Sequence, residues 1–73
     1  MMIEELLIIE SARREAEREA PGEPIASGRA VTHALWAFEG GASVPEAIAE
    51  ARRYARGWAR HGARGTEHRA TAA

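Results

Sequence analysis

Alanine recurs at every fourth position through the last third of the chain, which predicts a helix with one smooth ridge. The row consists of Ala47, Ala51, Ala55, Ala59 and Ala63. A shorter row of Ala12, Ala16 and Ala20 follows the first helical stretch. Rows of small side chains let helix axes approach to about the lower end of the usual 8–10 Å range. The pattern therefore predicts an all-α, three-helix domain with tight alanine-mediated packing.

Local signals divide the chain into a single helical domain over residues 1–62 and a flexible tail over residues 63–73. Pro21 and Pro24 interrupt the pattern, and Ser27 is expected to cap the second helix. Gly40 and Gly41 stop that helix, and Gly62 stops the third. The predicted helices span about residues 3–19, 27–39 and 44–61.

The start of the third helix has the most specific local signal. Ser43 and Glu46 have the spacing of a capping box, in which each side chain bonds the other residue's backbone N–H. Pro45 falls in the first helical turn, where its missing N–H is not needed.

Four consecutive large apolar residues, Leu6 to Ile9, cover most of the circumference of the first predicted helix. Such an end has to be buried on several sides, within a homodimer or against a partner. Alternatively, residues 1–10 begin as a short strand that pairs with a copy of itself, because isoleucine favours β structure. We favour the helix, because the Arg- and Glu-rich segment continues without a break.

The second predicted helix has an apolar face and a face that carries Trp36. The apolar face consists of Ala30, Val31, Ala34, Leu35, Ala37 and Phe38. Trp36 points away from it, with Arg29 and His33 on the same side. Because Trp and Arg are enriched at binding hot spots, these three residues are the predicted partner-binding site. The alternative is that the first helix covers Trp36 within the chain.

The third predicted helix has a core face next to an arc of arginines. The core face consists of Val44, Ala47, Ile48, Ala51, Ala55, Trp58 and Gly62, with Tyr54 at its edge. The arc consists of Arg52, Arg53, Arg56, Arg60 and Arg64. Basic residues near a helix C-terminus suit the helix dipole, so a solvated face explains the arc. The alternative is contact with phosphates, nucleic acid or an acidic partner.

Composition narrows the function classes. The chain has 73 residues, no cysteine and a formal net charge of −1, so it has no disulfide and no overall attraction to nucleic acid. Its three histidines lack metal-site spacing, and no nucleophile–base pair is evident, so we predict no enzyme, metal or cofactor. The short apolar run predicts neither a membrane span nor a signal peptide, and we expect a cytoplasmic bacterial protein.

Residues 22–48 resemble a bacterial family of short antitoxin-like proteins of unknown function. The likeness is carried by the segment Gly22-Glu23-Pro24-Ile25, by Gly28-Arg29 and Val31, and by Gly41, Ser43, Glu46 and Ile48. The family's signature is a Gly-x-Pro segment, a Gly-Thr-Arg turn, a helix and a Gly-x-Ser step into a second helix. Its threonine is missing between Gly28 and Arg29. The resemblance implies a compact helix-turn-helix unit and a toxin as partner.

Three functions fit these patterns. The first is a non-enzymatic protein–protein interaction module that self-associates, as a homodimer, and binds a partner such as a toxin. The second is a helix-turn-helix DNA-binding regulator. Against it, the tip of the third helix carries Val44, Pro45 and Glu46, which suit the major groove poorly. The third is a structural subunit or assembly factor of a larger complex.

Overall fold

A computed structural model of the chain describes the backbone of residues 3–72 and the side chains of residues 3–62. It contains three α-helices, α1 (Ile3–Glu19), α2 (Pro24–Glu39) and α3 (Val44–Ala72), which all pack against one another. The predicted all-α, three-helix fold is confirmed. The predicted flexible tail, residues 63–73, lies outside the residues whose side chains are described.

Helix α1 begins at Ile3, so the alternative of a strand at the start of the chain is wrong for the residues described. Acidic Glu4 and Glu5 lie in its first turn, where they complement the positive end of the helix dipole. A hydrogen bond from the Ala20 N–H to the Ala16 carbonyl, 2.8 Å, continues the helical pattern at its end.

Helix α2 begins three residues earlier than predicted, at Pro24 rather than Ser27. The Ser27 N–H donates to the Glu23 carbonyl at 3.0 Å, so Ser27 lies inside the first turn and does not cap it. The fixed φ of proline suits the first helical position, and the N–H that proline lacks has no partner there in any helix. Pro24 can therefore begin α2, although a proline in the interior of a helix would interrupt it.

The turn between α2 and α3 closes both helices with local hydrogen bonds. Gly41, at φ 107°, donates its N–H to the Phe38 carbonyl, and the Ala42 N–H reaches the Ala37 carbonyl, each at 3.0 Å. These two bonds form a Schellman motif, which explains why glycine is needed at position 41. Helix α2 thus ends at Glu39, as predicted.

The predicted capping box at the start of α3 is confirmed. The Ser43 N–H donates to Glu46 Oε1 at 2.9 Å, and the Glu46 N–H donates to Ser43 Oγ at 3.2 Å. The hydrogen bond from the Ser43 backbone N–H is the main cause that lowers the pKa of the Glu46 carboxyl group, and the Ser43 side chain lowers it further. At the other end, Gly62 has φ 72° and ψ −179°, a non-helical conformation that interrupts α3 at the predicted position.

The core is built almost entirely of alanine. Each helix contributes one row with a spacing of four residues, and all nine of these side chains are 5% exposed or less: Ala12 and Ala16 in α1 with Ala20 just after it, Ala26, Ala30 and Ala34 in α2, and Ala47, Ala51 and Ala55 in α3. Ile8 is the one large side chain that is fully buried among the described residues. The row in α3 leaves the core at Ala59, which is exposed, and Ala63 lies outside the described side chains.

Two sets of contacts with α3 show the directions in which the other two helices run. Arg52 bonds Glu15 and Arg56 bonds Glu19, so each partner advances by one turn and α1 runs parallel to α3. Helix α2 lies antiparallel to α3, because the pairs His33–Tyr54 and Arg29–Trp58 step in opposite directions.

Candidate protein-interaction surface

The outward face of α2 leaves large apolar side chains uncovered. Trp36 is 62% exposed and Ile25 is 60% exposed, and both lie on the face opposite the alanine row. The predicted outward direction of Trp36 is confirmed, and the alternative that α1 covers it is wrong. Gly28 and Thr32 lie between Ile25 and Trp36 on the same face, at helical spacings of three and four residues. We call Ile25, Gly28, Thr32 and Trp36 the outer stripe.

Trp36 is linked to α3 through a chain of aromatic contacts. Its ring meets the His33 ring edge-on, with centroids 5.4 Å apart. The His33 ring in turn stacks on Tyr54 of α3, with centroids 4.5 Å apart and an angle of 24° between the planes. Such ring pairs contribute about 0.5–1.5 kcal/mol beyond the area that they bury. The chain of contacts restricts Trp36 to a defined position although most of it faces solvent.

Arg29 and Trp58 extend this cluster by one helical turn. The guanidinium carbon of Arg29 lies 5.8 Å from the centre of the Trp58 ring, a cation–π distance. The ring centroids of Trp58 and Tyr54 are 6.4 Å apart. Trp58, which was expected on the core face, is only partly buried and lies against Arg29 of α2, outside the cluster of fully buried alanines. We call Arg29, His33, Trp36, Tyr54 and Trp58 the aromatic surface.

The three predicted partner-binding residues, Arg29, His33 and Trp36, all belong to the aromatic surface. Sequence reasoning missed Tyr54 and Trp58 as members of it. A signal was available, because Arg29 and His33 are four residues apart in α2, and Tyr54 and Trp58 are four apart in α3. When two helices that each carry such a pair pack antiparallel, the first residue of one pair meets the second residue of the other. The four side chains then form two contacts, one helical turn apart.

The predicted arginine arc is largely engaged within the molecule. Arg52 Nη2 lies 3.1 Å from Glu15 Oε1, and Arg56 Nη2 lies 2.8 Å from Glu19 Oε1. Arg53 pairs with Glu50 on its own helix at 2.6 Å, Arg60 is exposed, and Arg64 lies outside the described side chains. The first two pairs join α1 to α3, a structural role that helical periodicity alone did not indicate.

The Glu19–Arg56 pair has a marked electrostatic effect. The hydrogen bond from Arg56 is the main cause that lowers the pKa of the Glu19 carboxyl group, with smaller contributions from the positive charges of Arg56, Arg52 and Arg18. The same bond raises the pKa of the Arg56 guanidinium. Both groups are therefore held in their charged forms.

A second apolar patch lies at the start of α1. Ile3 is 83% exposed, and Leu6 and Leu7 are each about half exposed. Within the run Leu6 to Ile9, only Ile8 reaches the core fully, and Ile9 is partly buried. The part of the chain with described side chains therefore leaves apolar side chains uncovered on α1 as well as on α2.

Other kinds of site are not evident in the described part of the chain. No group of three or more His, Asp or Glu side chains is arranged to hold a metal ion there. None of its helices combines the length and the apolar character that crossing a bilayer requires.

Comparison with protein-family models, with curated proteins and with solved structures gives no match. The antitoxin-like resemblance of residues 22–48 stays a prediction.

Proposed function

We propose that this chain is a small protein–protein interaction module that acts through the aromatic surface and self-associates. The observation that carries the proposal is the exposure of Trp36, 62%, in a residue whose ring is held by His33. Tryptophan is the residue type most enriched at hot spots of interfaces, where it fills a pocket of the partner. An anchor that is already ordered loses less conformational entropy on binding.

The balance between core and surface supports the same function. Five large apolar side chains are exposed, whereas the fully buried side chains are alanines and Ile8, with residues such as Leu35 and Phe38 partly buried against them. Burial of small side chains yields little hydrophobic free energy, and a chain of this size has a limited core in any case. Association that covers the exposed apolar groups adds burial that the monomer lacks.

The engaged arginines favour protein over DNA as partner. Arg52 and Arg56 donate to carboxylates of α1, so contact with phosphates would require that these pairs be given up. At the tip of α3, Glu46 accepts from Ser43 and adds negative charge where a recognition helix meets base edges. A toxin, as the antitoxin-like resemblance implies, or a neighbouring subunit of a larger complex would satisfy the aromatic surface equally well.

Site-specific photo-cross-linking in the producing cell tests the proposal. A photoreactive phenylalanine analogue replaces Trp36, which keeps an aromatic side chain at the anchor. The matched control carries the same analogue at Glu17, which is exposed on α1 outside the aromatic surface. We expect a discrete protein adduct from position 36 and none from position 17.

The adducts identify the class of partner. A second copy of the chain or another protein bound at position 36 supports an interaction module. Adducts with nucleic acid at position 36 would instead support the DNA-binding regulator. Equal labelling at both positions, or none at position 36, would overturn the proposed function.

A further inference from the structure

We propose that the end of the bundle at which α1 begins binds a basic amphipathic helix of another protein. The residues that carry this inference lie outside the aromatic surface, so it goes beyond the proposed function. It rests on the separation of charge along the bundle, on an exposed apolar patch among the carboxylates and on the helical spacing of that patch.

The register of the helices shows which residues lie at the same end of the bundle. Glu15 of α1 pairs with Arg52 of α3, and His33 of α2 stacks on Tyr54 of α3. Continued by helical turns toward the start of α3, this register brings three segments to one end: residues 3–12 of α1, 38–39 of α2 and 44–49 of α3.

Charge is separated along the length of the bundle. Among the described side chains, the end formed by these three segments carries no arginine and five glutamates: Glu4, Glu5, Glu10, Glu39 and Glu46. We call it the acidic end. The rest of the described bundle carries eight arginines and five glutamates. One end of the molecule is therefore negative, and the remainder is positive.

Helix dipoles account for only part of this negative charge. Helices α1 and α3 begin at the acidic end and α2 ends there, so the three termini sum to about half a positive charge. Glu39 is the last residue of α2, where a carboxylate opposes the dipole, and Glu10 lies beyond the first turn of α1. The acidic end therefore keeps a surplus of negative charge after its helix termini are complemented.

Three apolar side chains are exposed within the acidic end. Ile3 is 83% exposed, and Leu6 and Leu7 follow it at helical spacings of three and four residues, each about half exposed. They form one patch on the side of α1 that faces away from the buried Ile8. Glu10 borders the patch, because it lies three residues after Leu7 and four after Leu6. The result is an apolar surface with a carboxylate at its edge.

The shape and the charge of this surface indicate its occupant. Apolar side chains at spacings of three and four residues form a ridge, which packs into the groove of another helix. The described residues contain no strand edge to which an extended segment could add, so the partner segment satisfies its own backbone hydrogen bonds as a helix. Carboxylates around the patch then favour lysine or arginine beside the apolar face of that helix.

The same charge disfavours other occupants. Nucleic acid and anionic membrane surfaces carry negative charge, so the acidic end would repel both. A second copy docked through the same patch would bring two acidic ends together, and like charges in one interface cost binding free energy. A basic partner is attracted instead, and the separated charges of the bundle also orient it during the encounter.

A pair of synthetic peptides tests the charge requirement on the whole chain. Both peptides are about 18 residues long, carry a fluorophore and place leucines at the same helical spacing. One has lysines beside the leucine face, and the other has glutamates at the same positions. We expect the chain to bind the lysine peptide about tenfold or more tighter in fluorescence anisotropy. The difference should shrink between about 50 and about 500 mM NaCl, because salt screens surface charges.

Two pairs of matched variants locate the binding. Ile3→Ser removes an apolar side chain of the patch, and Ile25→Ser makes the same change at an exposed position near the other end of the bundle. Glu10→Gln removes a carboxylate of the acidic end, and Glu17→Gln removes one farther along α1. All four positions are exposed, so we expect unchanged helicity by circular dichroism. Ile3→Ser and Glu10→Gln should each weaken binding of the lysine peptide several-fold, and the two controls should bind like the wild type.

Several outcomes would overturn the inference. Equal affinity for the two peptides, or no binding of the lysine peptide, would show that the acidic end does not recognise basic helices. Equal weakening by Ile3→Ser and Ile25→Ser would show that the peptide binds elsewhere. If Ile3→Ser dissociates an oligomer of the chain in sedimentation velocity and Ile25→Ser does not, a second copy covers the patch instead. None of these results alters the cross-linking expected from position 36, so the proposed function is tested separately.

Discussion

Glu19 accepts a hydrogen bond of 2.8 Å from the guanidinium of Arg56, which joins the last turn of α1 to the middle of α3. One turn earlier, Glu15 accepts from Arg52 at 3.1 Å in the same register. The two pairs lie side by side between the parallel helices α1 and α3, next to the alanine rows. Alanine side chains make few contacts that depend on direction. The ion pairs therefore define the register of α1 against α3.

The Glu19–Arg56 pair makes stability depend on pH. Because the bond from Arg56 lowers the pKa of Glu19 below its ordinary value of 4.5, the folded state favours the ionised carboxylate. The stabilisation is fully present above that ordinary value and is lost as the pH falls through the lowered pKa. We expect Glu19→Gln to reduce the urea midpoint near neutral pH and to have little effect in strong acid.

The control for this prediction is the double variant that also carries Arg56→Gln. If the pair acts as described, the second substitution should cost less in the Glu19→Gln background than in the wild type. High salt should shrink both effects, because the pair is partly exposed. If Glu19→Gln lowered the urea midpoint by the same amount at every pH, the charge of the carboxylate would not be the cause of the stabilisation.

The alanine core predicts a strong asymmetry between two positions of one helix. Ala51 has no exposed surface and faces the other two helices, so Ala51→Leu should force them apart and destabilise the fold by about 1–3 kcal/mol. Ala59→Leu makes the same change two turns later at an exposed position, where we expect an effect within about 0.5 kcal/mol. Urea denaturation measures both variants. Equal tolerance of leucine at the two positions would show that the helices are not closely packed at Ala51.

The alanine rows and the glycine stops made most of the fold predictable from sequence. Small residues every fourth position identify a buried ridge, because helical periodicity is a local property of the chain. The sequence predicts the row of Ala26, Ala30 and Ala34 only in part, since a start at Ser27 leaves Ala26 outside the helix, whereas α2 begins at Pro24. In the sequence, Pro24 indicates the end of a helical stretch, although its position just after a loop also suits the first turn of a helix.

The aromatic surface was predictable only on the α2 side. Trp36, His33 and Arg29 follow from the helical projection of one element, whereas Tyr54 and Trp58 join them through the packing angle between two helices. That angle depends on which alanines of the two helices are in contact. The sequence alone does not specify these pairings. The same reason applies to Arg52 and Arg56, whose partners lie 37 residues away.

The capping box predicts a measurable loss on a single substitution. Ser43→Ala removes the oxygen that accepts from the Glu46 N–H, and we expect destabilisation of about 1 kcal/mol. The Ser43 backbone N–H still donates to Glu46, so the pKa of Glu46 should stay below its ordinary value. Thermal denaturation and carboxyl titration by NMR measure the two effects. Ser43→Asp, which restores an acceptor at the cap, should recover most of the lost stability.

The stacking of His33 on Tyr54 predicts that a residue outside the outer stripe controls association. Tyr54→Leu removes the ring that His33 stacks on, so Trp36 loses its indirect support and the anchor becomes more mobile. We expect association through Trp36 to weaken several-fold, in keeping with about 0.5–1.5 kcal/mol for a ring pair. Tyr54→Phe keeps the ring and should associate like the wild type. Sedimentation equilibrium measures the association, and Trp36 fluorescence anisotropy in a Trp58→Phe background measures the mobility. Loss of association in Tyr54→Phe as well would show that the hydroxyl, rather than the stacked ring, is what the interface requires.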